Sequence, residues 1–413
     1  MLDNLNFEKL TFNSRKQILF GQDATASKFI KIQIIKNANK LNDLKREYDI
    51  LKHLNNMNCN TCPEVYEYGV IKKDALLAVA DDKETLQHAS GDEYEYMIQD
   101  YIPDDGTQPM ADILLTLIEQ KKLGVYQGDV KPDNIRFDAD KCICYFIDYD
   151  QAIMLNEDQK NMSNPEFIKF CSQHDKDRHG FGDWLRHFDD LSNDDVAPLF
   201  KDGALDLSKT TVFSTQNTTN TPSGIYHTIT GKDVFIDGSR DVTRRAELLD
   251  QVDFSSNEKV LDIGCNSGLL CMYLNNRGCQ VTGVDNDPHI IISSKILSNI
   301  QGDSIEYDCV DLDYVNELPQ YDTIMLFSVF HHTRNPVENA KKISKSCNRI
   351  ILETRLFERG QQPVDGVWTA TTNWSFNNLY ELKMYCESLF TDFKMTNNLG
   401  MSDKNRYILE FVK

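Results

Sequence analysis

The sequence predicts two domains of different class in series: an α+β domain over residues 1–205, then a doubly wound α/β domain over residues 206–413. Apolar and polar residues alternate in short segments of the first part, which is typical of antiparallel strands. Beyond residue 239, strand-like and helix-like segments alternate, which indicates a parallel sheet covered by helices. A stretch rich in Ser, Thr, Asn and Asp over 201–225 marks the boundary between the two domains.

The first domain is predicted to begin with two or three strands over 7–35 and an amphipathic helix over 39–56. Its later elements are strands over 64–70, 74–81 and 95–102, a helix over 109–122, a loop and hairpin over 124–152, and helices over 164–172 and 179–190.

The second domain is predicted to alternate helix and strand. Its helices cover 241–250, 267–276 and 288–299, and its strands cover 259–263, 280–284, 305–309, 322–328 and 348–353.

The charge balance bears on the partners of the protein. Acidic residues outnumber basic residues by 64 to 44, which gives a formal net charge of -20. Binding to a nucleic-acid backbone depends on clusters of Lys and Arg, so this balance disfavours a nucleic-acid partner. No segment approaches the roughly 20 apolar residues that span a bilayer, and the start of the chain lacks the pattern of a signal peptide. The sequence predicts a cytoplasmic protein that associates with a membrane at most peripherally.

The cysteines do not form a disulfide framework. Eleven of them are scattered along the chain, which favours reduced and mostly buried thiols. Two close pairs, Cys59/Cys62 and Cys142/Cys144, raise the alternative of a zinc site. Because the pairs lie far apart on different predicted elements, small core residues are the favoured interpretation.

The segment 128-GDVKPDNI-135 and the later 146-FIDYD-150 carry the residue types that phosphoryl transfer requires. A carboxylate must orient the acceptor hydroxyl, and oxygen ligands must hold Mg²⁺ on the phosphates of ATP. Asp129 supplies the carboxylate that orients the acceptor, and Lys131 can neutralise the transferring phosphoryl group. Asn134 and Asp148, which follows an apolar strand, are the predicted metal ligands.

This spacing resembles the catalytic and metal-binding loops of the protein-kinase-like superfamily, whose members have a bilobal catalytic domain. Gln127-Gly128 precedes the catalytic Asp where protein kinases have His-Arg, and the Gly-Asp pair is more similar to the sugar and small-molecule kinases.

The resemblance implies further roles in ATP binding. Lys31, in a predicted strand, would hold the phosphates, with Glu47 of the following helix as its ion-pair partner. The backbone of a hinge from Gln99 to Tyr101 would bind adenine.

In the second domain, a strand runs directly into the turn of 259-KVLDIGCNSGLL-270. Gly264 and Gly268 allow a ligand to approach the backbone, and Asp262 can meet an ammonium group. Asp285 ends the next strand, where a carboxylate accepts two ribose hydroxyls. A Rossmann-like nicotinamide site is the alternative, but the acid that opens the turn favours S-adenosylmethionine (SAM) and a class I methyltransferase fold.

Further residues are candidates for the adenine and for the methyl acceptor. Asp311 is predicted to lie beside the adenine. His331 and His332 follow the fourth strand, where either imidazole could remove a proton from an acceptor hydroxyl.

The segment before the SAM strand adds Arg240 as a partner of the SAM carboxylate. Tyr226 and His227 are predicted on the acceptor side, and Glu353 is predicted to reach the acceptor pocket.

The two domains together resemble the bifunctional kinase–methyltransferases that cap the ends of bacterial O-polysaccharides, a likeness that includes the motif S-V-F-H-H at 328–332. The resemblance implies phosphorylation of a saccharide or another small hydroxyl acceptor, followed by methylation of the product or of a nearby hydroxyl. Two alternatives remain: an RNA-modifying methyltransferase with a kinase-like domain, and a methyltransferase regulated by a pseudokinase module.

Overall fold

The structure is a computed structural model, and it describes most of the chain. The described residues are 7–13, 18–23, 27–34, 44–79, 84, 91–107, 109–174, 196–214, 227–238, 240–356, 376, 378–403 and 406–413. The chain divides into two compact units, residues 1–215 with 230–236, and residues 216–229 with 237–413. The predicted boundary between residues 205 and 206 stays a prediction.

The first unit begins with an antiparallel sheet of five strands in the order β1-β2-β3-β5-β4. Its strands are β1 (Phe7–Asn13), β2 (Ile18–Asp23), β3 (Lys28–Ile34), β4 (Val65–Lys72) and β5 (Glu93–Asp100). Helix α1 (Leu44–Asn56) joins β3 to β4 and buries one face, on which Leu44, Ile50, Leu51 and Leu54 repeat at helical spacing. Glu47 is buried on the same face.

The predicted strand over 74–81 is wrong, because helix α2 (Lys73–Val79) occupies this position. Its sequence KDALLAV is rich in helix formers and has an acidic residue in the first turn. The apolar run therefore reflects a short helix rather than a buried strand.

Helix α3 (Met110–Lys122) is buried along almost its whole length, so it is a core helix of the first unit. The other elements of this part are short. They are β6 (Val125–Tyr126), β7 (Ile135–Asp138), β8 (Ile143–Phe146), β9 (Ile153–Met154), helix α4 (Glu157–Lys160) and helix α5 (Asn164–His174). Strands β7 and β8 form the predicted hairpin. The predicted helix over 179–190 lies outside the described residues.

A small sheet with the order β10-β11-β13-β12 follows. It consists of β10 (Phe200–Lys201), β11 (Ala204–Asp206), β12 (Ile229–Thr230) and β13 (Val234–Ile236), with helix α6 (Thr211–Ser214) between β11 and β12.

An ion pair lies in the interior of the first unit. Lys121 is 0% exposed, and its Nζ lies 2.8 Å from Asp233 Oδ1. Asn164 and the Met162 carbonyl also accept hydrogen bonds from this ammonium group. Lys122 lies 2.6 Å from the other oxygen of Asp233. Since Asp233 lies beside β13, these bonds anchor segment 230–236 in the first unit.

The second unit contains a sheet of seven strands in the order β16-β15-β14-β17-β18-β20-β19. The strands are β14 (Lys259–Ile263), β15 (Gln280–Asp285), β16 (Glu306–Cys309), β17 (Thr323–Phe327), β18 (Arg349–Arg355), β19 (Lys394–Asp403) and β20 (Arg406–Val412). The first five are parallel, and β20 is antiparallel to both β18 and β19. Every residue of β17 is buried, as expected of a central strand covered on both faces.

The helices of the second unit are α7 (Thr243–Leu249), α8 (Leu269–Asn275), α9 (Pro288–Gln301), α10 (Pro336–Ser346) and α11 (Leu379–Leu389). Local signals set the ends of α9: the Asp287 side chain accepts from the His289 N–H, Pro288 begins the helix, and Gly302 ends it with φ +82°. The doubly wound α/β prediction is therefore confirmed for this unit. No helix among the described residues is long and apolar enough to cross a membrane.

Candidate active sites

A cavity of about 500 Å³ opens in the second unit at the carboxyl ends of its parallel strands. Ligands bind at this edge in doubly wound sheets. Six of the predicted site residues line the cavity: His227, Asp262, Gly264, Asp285, Asp311 and His332.

The turn after β14 forms one wall of this cavity, and its two glycines are required by geometry. Gly264 has φ +76°, and a Cβ added to it would lie 2.0 Å from Val329 Cγ2. Gly268 has φ +72°, and its Cβ would lie 2.3 Å from the Tyr307 hydroxyl oxygen. The backbone therefore comes into close contact with its neighbours where any side chain would collide.

Asp262 is the only acid of the turn and is 2% exposed at the end of β14. Its Oδ2 accepts a weak hydrogen bond from Cys271 Sγ at 3.3 Å. Its Oδ1 is buried and has no hydrogen-bond partner among the described residues. Burial raises the pKa of this carboxyl to about 7. An ammonium group in the cavity would satisfy Oδ1 and would favour the ionised acid.

Asp285 ends β15 and lies beside the turn in the cavity wall. Its two oxygens accept from the backbone N–H groups of Asn266, at 3.2 Å, and Asp287, at 3.3 Å. Burial nevertheless raises the pKa of Asp285. The same carboxylate retains lone pairs for the two vicinal hydroxyls of a ribose.

The two predicted histidines lie in a 3₁₀ turn, Phe330–His332, after β17. Their ring centroids are 4.1 Å apart, but His332 lines the cavity and His331 does not. Burial, reinforced by the charge of Arg406, lowers the pKa of His332. Its imidazole is therefore neutral near pH 7, as a proton acceptor must be.

Glu353 does not line the cavity. It is the central acceptor of a buried polar cluster next to the cavity. Arg245 donates to both of its oxygens, from Nε and Nη2 at 2.8 Å each. The hydroxyls of Ser328 and Ser402 also donate to it, and Arg406 Nη1 lies 3.8 Å away. Ser328 adopts a left-handed backbone, φ +58°, which is unusual for a serine and is held by these contacts.

Two members of this cluster, Arg245 and Ser328, also line the cavity, as does His227. His227 is buried, and its Nε2 lies 3.4 Å from Arg245 Nη1. Burial, then the charges of Arg245 and Arg240, lower the pKa of His227 to about 3. His227 thus lines the cavity, and its acceptor-side role stays a prediction. Tyr226 lies outside the described residues.

Arg240 does not line this cavity, contrary to its predicted role at the SAM carboxylate. Its guanidinium donates to Asp403 at 2.8 Å, and its side chain is 30% exposed. Sequence reasoning missed Arg245, Ser402 and Arg406. The tandem Arg244-Arg245 ahead of β14 was the one available signal, since Ser402 and Arg406 belong to a terminal hairpin without a motif.

In the first unit, Lys31 of β3 is 5% exposed and bridges two acids. Its Nζ lies 2.7 Å from Glu47 Oε2 and 2.5 Å from Asp148 Oδ1. Burial favours the neutral amine, but the charges of Glu47 and Asp148 outweigh it and raise the pKa of Lys31. Glu47 also accepts from the Tyr149 N–H at 3.1 Å, so α1 is tied to the predicted metal-binding segment.

The predicted catalytic loop is assembled around Asp129, which is 7% exposed. Lys131 Nζ lies 2.8 Å from Asp129 Oδ2. Asn134 Nδ2 donates to the same oxygen at 3.0 Å and to the Asp129 carbonyl at 2.8 Å. Asp148 has φ +59° and precedes a 3₁₀ turn. The structure thus brings the four predicted residues of the loops into neighbouring positions.

Gln127 is fully buried and joins the two loops. Its Oε1 accepts from the Asp129 N–H, and its Nε2 donates to the carbonyls of Ile147 and Asp148, all at 2.8 Å. Gly128 is required beside it, since a Cβ there would lie 2.3 Å from the Gln151 carbonyl oxygen.

Two backbone N–H groups of the predicted adenine hinge are bonded within the protein. The N–H groups of Asp100 and Tyr101 donate to the carbonyls of Glu64 and Ser27, at 2.9 and 3.0 Å. Gln99 is buried and in register with Phe29 and Val65. The Asp100 and Tyr101 donors are thus engaged within the protein.

Comparison with known proteins bears on the second unit. Residues 261–349 match the family model of a methyltransferase domain. With the strand order given above, this match assigns the C-terminal part of the chain to the class I SAM-dependent methyltransferase fold.

Among curated proteins, the chain is similar to ubiquinone biosynthesis O-methyltransferases. That of Bradyrhizobium diazoefficiens is 34% identical over 74 residues, 18% of this chain and 29% of the relative. That of Chromobacterium violaceum is 28% identical over 109 residues, 26% of this chain and 45% of the relative. The chain therefore spans less than half the length of these two relatives.

Two solved structures also resemble it. One is magnesium protoporphyrin IX methyltransferase from Synechocystis PCC 6803 with bound SAH, at 19% identity and a TM-score of 0.34, covering 42% of this chain and 81% of that chain. The other is the N-terminal domain of EvdMO1 with SAH and D-fucose, at 14% identity and a TM-score of 0.35, covering 45% and 89%.

Proposed function

We propose that the second unit is a SAM-dependent methyltransferase. The observation that carries this proposal is the cavity wall in which the Gly264 turn, the unsatisfied Asp262 Oδ1 and the carboxylate of Asp285 lie together. These groups match three parts of SAM: the methionine chain that would pack against the turn, the ammonium group and the ribose. The match of residues 261–349 to a methyltransferase domain supports the same conclusion.

Different residues of the cavity have different roles in methyl transfer. When bound, SAM supplies an electrophilic methyl group on a sulfonium sulfur. Asp262 and Asp285 orient the two ends of the molecule, and Asp311 lies on the wall proposed for adenine. His332, kept neutral by burial and Arg406, can accept the proton of an acceptor hydroxyl. His331, which does not line the cavity, is the weaker candidate for this base.

Gly264→Ala is expected to weaken binding of S-adenosylhomocysteine (SAH) at least about 10-fold, because its Cβ must displace Val329. Isothermal titration calorimetry measures this. The matched control is Gly302→Ala, since Gly302 has a similar φ of +82° but no atom within 4 Å of the added Cβ. Equal affinity in wild type and Gly264→Ala, or no SAH binding by the wild type, would count against the proposal.

We infer that the first unit is an ATP-dependent phosphotransferase. The observation that favours it is the buried Lys31, which pairs with Glu47 on α1 and with Asp148 beyond β8. Two acids, 16 and 117 positions away from Lys31 in sequence, meet at its ammonium group. This is the arrangement that phosphate binding and metal positioning require. Asp129 would orient the acceptor hydroxyl, and Lys131 would neutralise charge on the phosphoryl group.

The donor set suits Mg²⁺ bound together with a nucleotide. Asn134 donates through its nitrogen to Asp129, so its amide oxygen is available to a cation. Asp148 supplies a carboxylate that is 22% exposed. No three His, Cys, Asp or Glu side chains meet as metal ligands in the described part of the chain. Mg²⁺ with ATP needs only one or two protein ligands, because phosphates and water complete its shell.

The two activities together would cap a saccharide, with phosphorylation of a hydroxyl followed by methylation of the product or of a neighbouring hydroxyl. The net charge of -20 supports a small hydroxyl acceptor over the alternative of an RNA substrate. A pseudokinase module is the other alternative for the first unit, and it predicts ATP binding without transfer.

Incubation of an oligosaccharide library with ATP, Mg²⁺ and SAM, read by mass spectrometry, tests the phosphotransferase. Wild type is expected to add phosphate, and Asp129→Ala to lose at least about 100-fold of this activity. Asp133→Ala is the matched control, because it removes an exposed carboxylate from the same loop. Equal transfer by wild type and Asp129→Ala would sink the assignment, and ATP binding without any transfer would support the pseudokinase alternative.

A further inference from the structure

The carboxylate of Asp313 joins two loops of the methyltransferase cavity. Asp313 follows β16, and its Oδ2 accepts from the Arg334 N–H at 2.9 Å. Its Oδ1 accepts from the Asn335 N–H at 3.1 Å and from Asn339 Nδ2 at 2.8 Å. Burial favours the protonated acid, but these bonds outweigh it and lower the pKa of Asp313. Both Asp313 and Arg334 line the cavity, so the two loops are joined at its wall.

Asp313 also completes the start of helix α10 from outside the helix. The helix begins at Pro336, directly after Asn335, whose own side chain forms no capping hydrogen bond. In a capping box, an acid three residues into the helix accepts from the N–H of the residue before it. Glu338 holds that position but pairs with Lys341 instead. The Asn335 N–H therefore depends on Asp313, which reaches it from the loop after β16.

His332, the proposed base, precedes this anchored segment and has no side chain that orients it. Within the described part of the chain its imidazole forms no hydrogen bond, and its ring lies 4.1 Å from that of His331. A catalytic base is usually oriented by a third group that binds it. In this loop the backbone must set the direction of the imidazole instead. The His332 N–H donates to the Val329 carbonyl at 2.8 Å, and Phe330 is buried in the core.

We propose that Asp313 is a positioning residue that fixes the backbone after His332 and so holds the imidazole at the cavity. The buried Phe330 fixes the 3₁₀ turn on one side of His332, and the bonds from Asp313 to residues 334 and 335 fix it on the other. Asp313 acts through His332 and takes no part in proton transfer itself. This inference rests on the proposed methyltransferase function.

A purely structural role, in which Asp313 only stabilises α10, predicts a different result. Its loss would then lower the midpoint of thermal unfolding and leave His332 unchanged in the folded protein. Removal of the negative charge alone would lower the pKa of His332, since a nearby carboxylate favours the imidazolium. A released turn has the opposite effect. It takes the imidazole away from its buried position and from Arg406, which together lower its pKa, so the pKa rises toward the ordinary 6.5.

NMR titration of the imidazole C–H resonances in the full chain with SAH bound is the test, with His332→Gln to assign the signal. Asp313→Ala is expected to raise the pKa of His332 and to speed hydrogen exchange of the amides at 334 and 335 at least about 10-fold. Asp313→Asn should restore slow exchange without that rise, because it retains an acceptor oxygen. Asn378→Ala is the matched control, since Asn378 caps α11 by accepting from the Glu381 N–H at 3.0 Å. It should lower the unfolding midpoint and leave His332 unchanged.

An unchanged or lowered pKa of His332 in Asp313→Ala overturns the proposal, and so does an equal change in Asn378→Ala. If Asp313→Ala does not fold, Asp313→Ser, which keeps one acceptor oxygen, provides the same comparison with a smaller shift. Calorimetric titration of the wild type with SAH separates the two levels of the argument. A wild-type chain that binds no SAH would overturn the methyltransferase function itself.

Discussion

Glu353→Ala is expected to lower the free energy of unfolding by about 3–5 kcal/mol, the cost of leaving buried charges without their partner. Arg245 and Arg406 would lose their shared carboxylate, and Ser328 and Ser402 would lose an acceptor. Calorimetric unfolding should show a midpoint lower by about 10 °C. Glu338→Ala is the control, because Glu338 forms an exposed pair with Lys341 and its loss should leave the midpoint unchanged.

The stability of Glu353→Ala should also depend on pH less strongly than that of the wild type. Burial favours the protonated form of Glu353, but the bonds and charge of Arg245 outweigh burial and hold its pKa below the ordinary 4.5. A carboxyl whose pKa is lower in the folded state contributes stability above its unfolded pKa. That contribution disappears as the pH falls through the folded pKa. Glu353→Ala should therefore lose less stability than wild type between pH 5 and pH 3, and parallel acid profiles would contradict this.

Asp233→Asn is the second substitution with a large expected effect, again about 3–5 kcal/mol of unfolding free energy. The charged Lys121 would remain fully buried, without the Asp233 carboxylate that now pairs with it. Burial already lowers the pKa of Lys121, which Asp233 partly restores. Urea unfolding of the full chain, followed by far-UV circular dichroism, measures the loss.

A double variant distinguishes a charge effect from a packing effect. Lys121→Met/Asp233→Asn removes the buried charge together with its partner, so it should be much closer to wild type than Asp233→Asn alone. Asp49→Asn, which breaks an exposed pair with Lys45, is the matched control and should have little effect. A double variant as unstable as the single one would show that Asp233 acts through its packing or backbone contacts.

The fold of the second unit could be predicted from sequence because its signals are local. Each parallel strand runs into its own turn, and the acid or glycine of that turn lies within a few residues of the strand. The helix over 73–79 could not be distinguished from a strand, because a short apolar run fits both periods. Strand β19 was also missed, since Lys394–Asp403 carries little apolar alternation.

In the candidate sites, too, only residues that belong to local motifs could be predicted. Asp262, Asp285 and His332 could be placed from motifs, and they line the cavity together. Arg245 could not, because its role depends on Glu353, which lies 108 positions further along the chain. Arg406 meets the same cluster from β20. Contacts between residues so distant in sequence are set by the packing of the sheet, and no spacing rule reports them.

The anchoring of segment 230–236 by Asp233 has a consequence for dissecting the protein. The polypeptide leaves the first unit after residue 215, returns to it for these seven positions, and leaves it again at residue 237. No single point of division in the sequence therefore separates the two units. A fragment that ends at residue 205 or 215 would lack β13 and also Asp233, whose carboxylate pairs with Lys121. Expression of the first unit alone should therefore extend to Ile236.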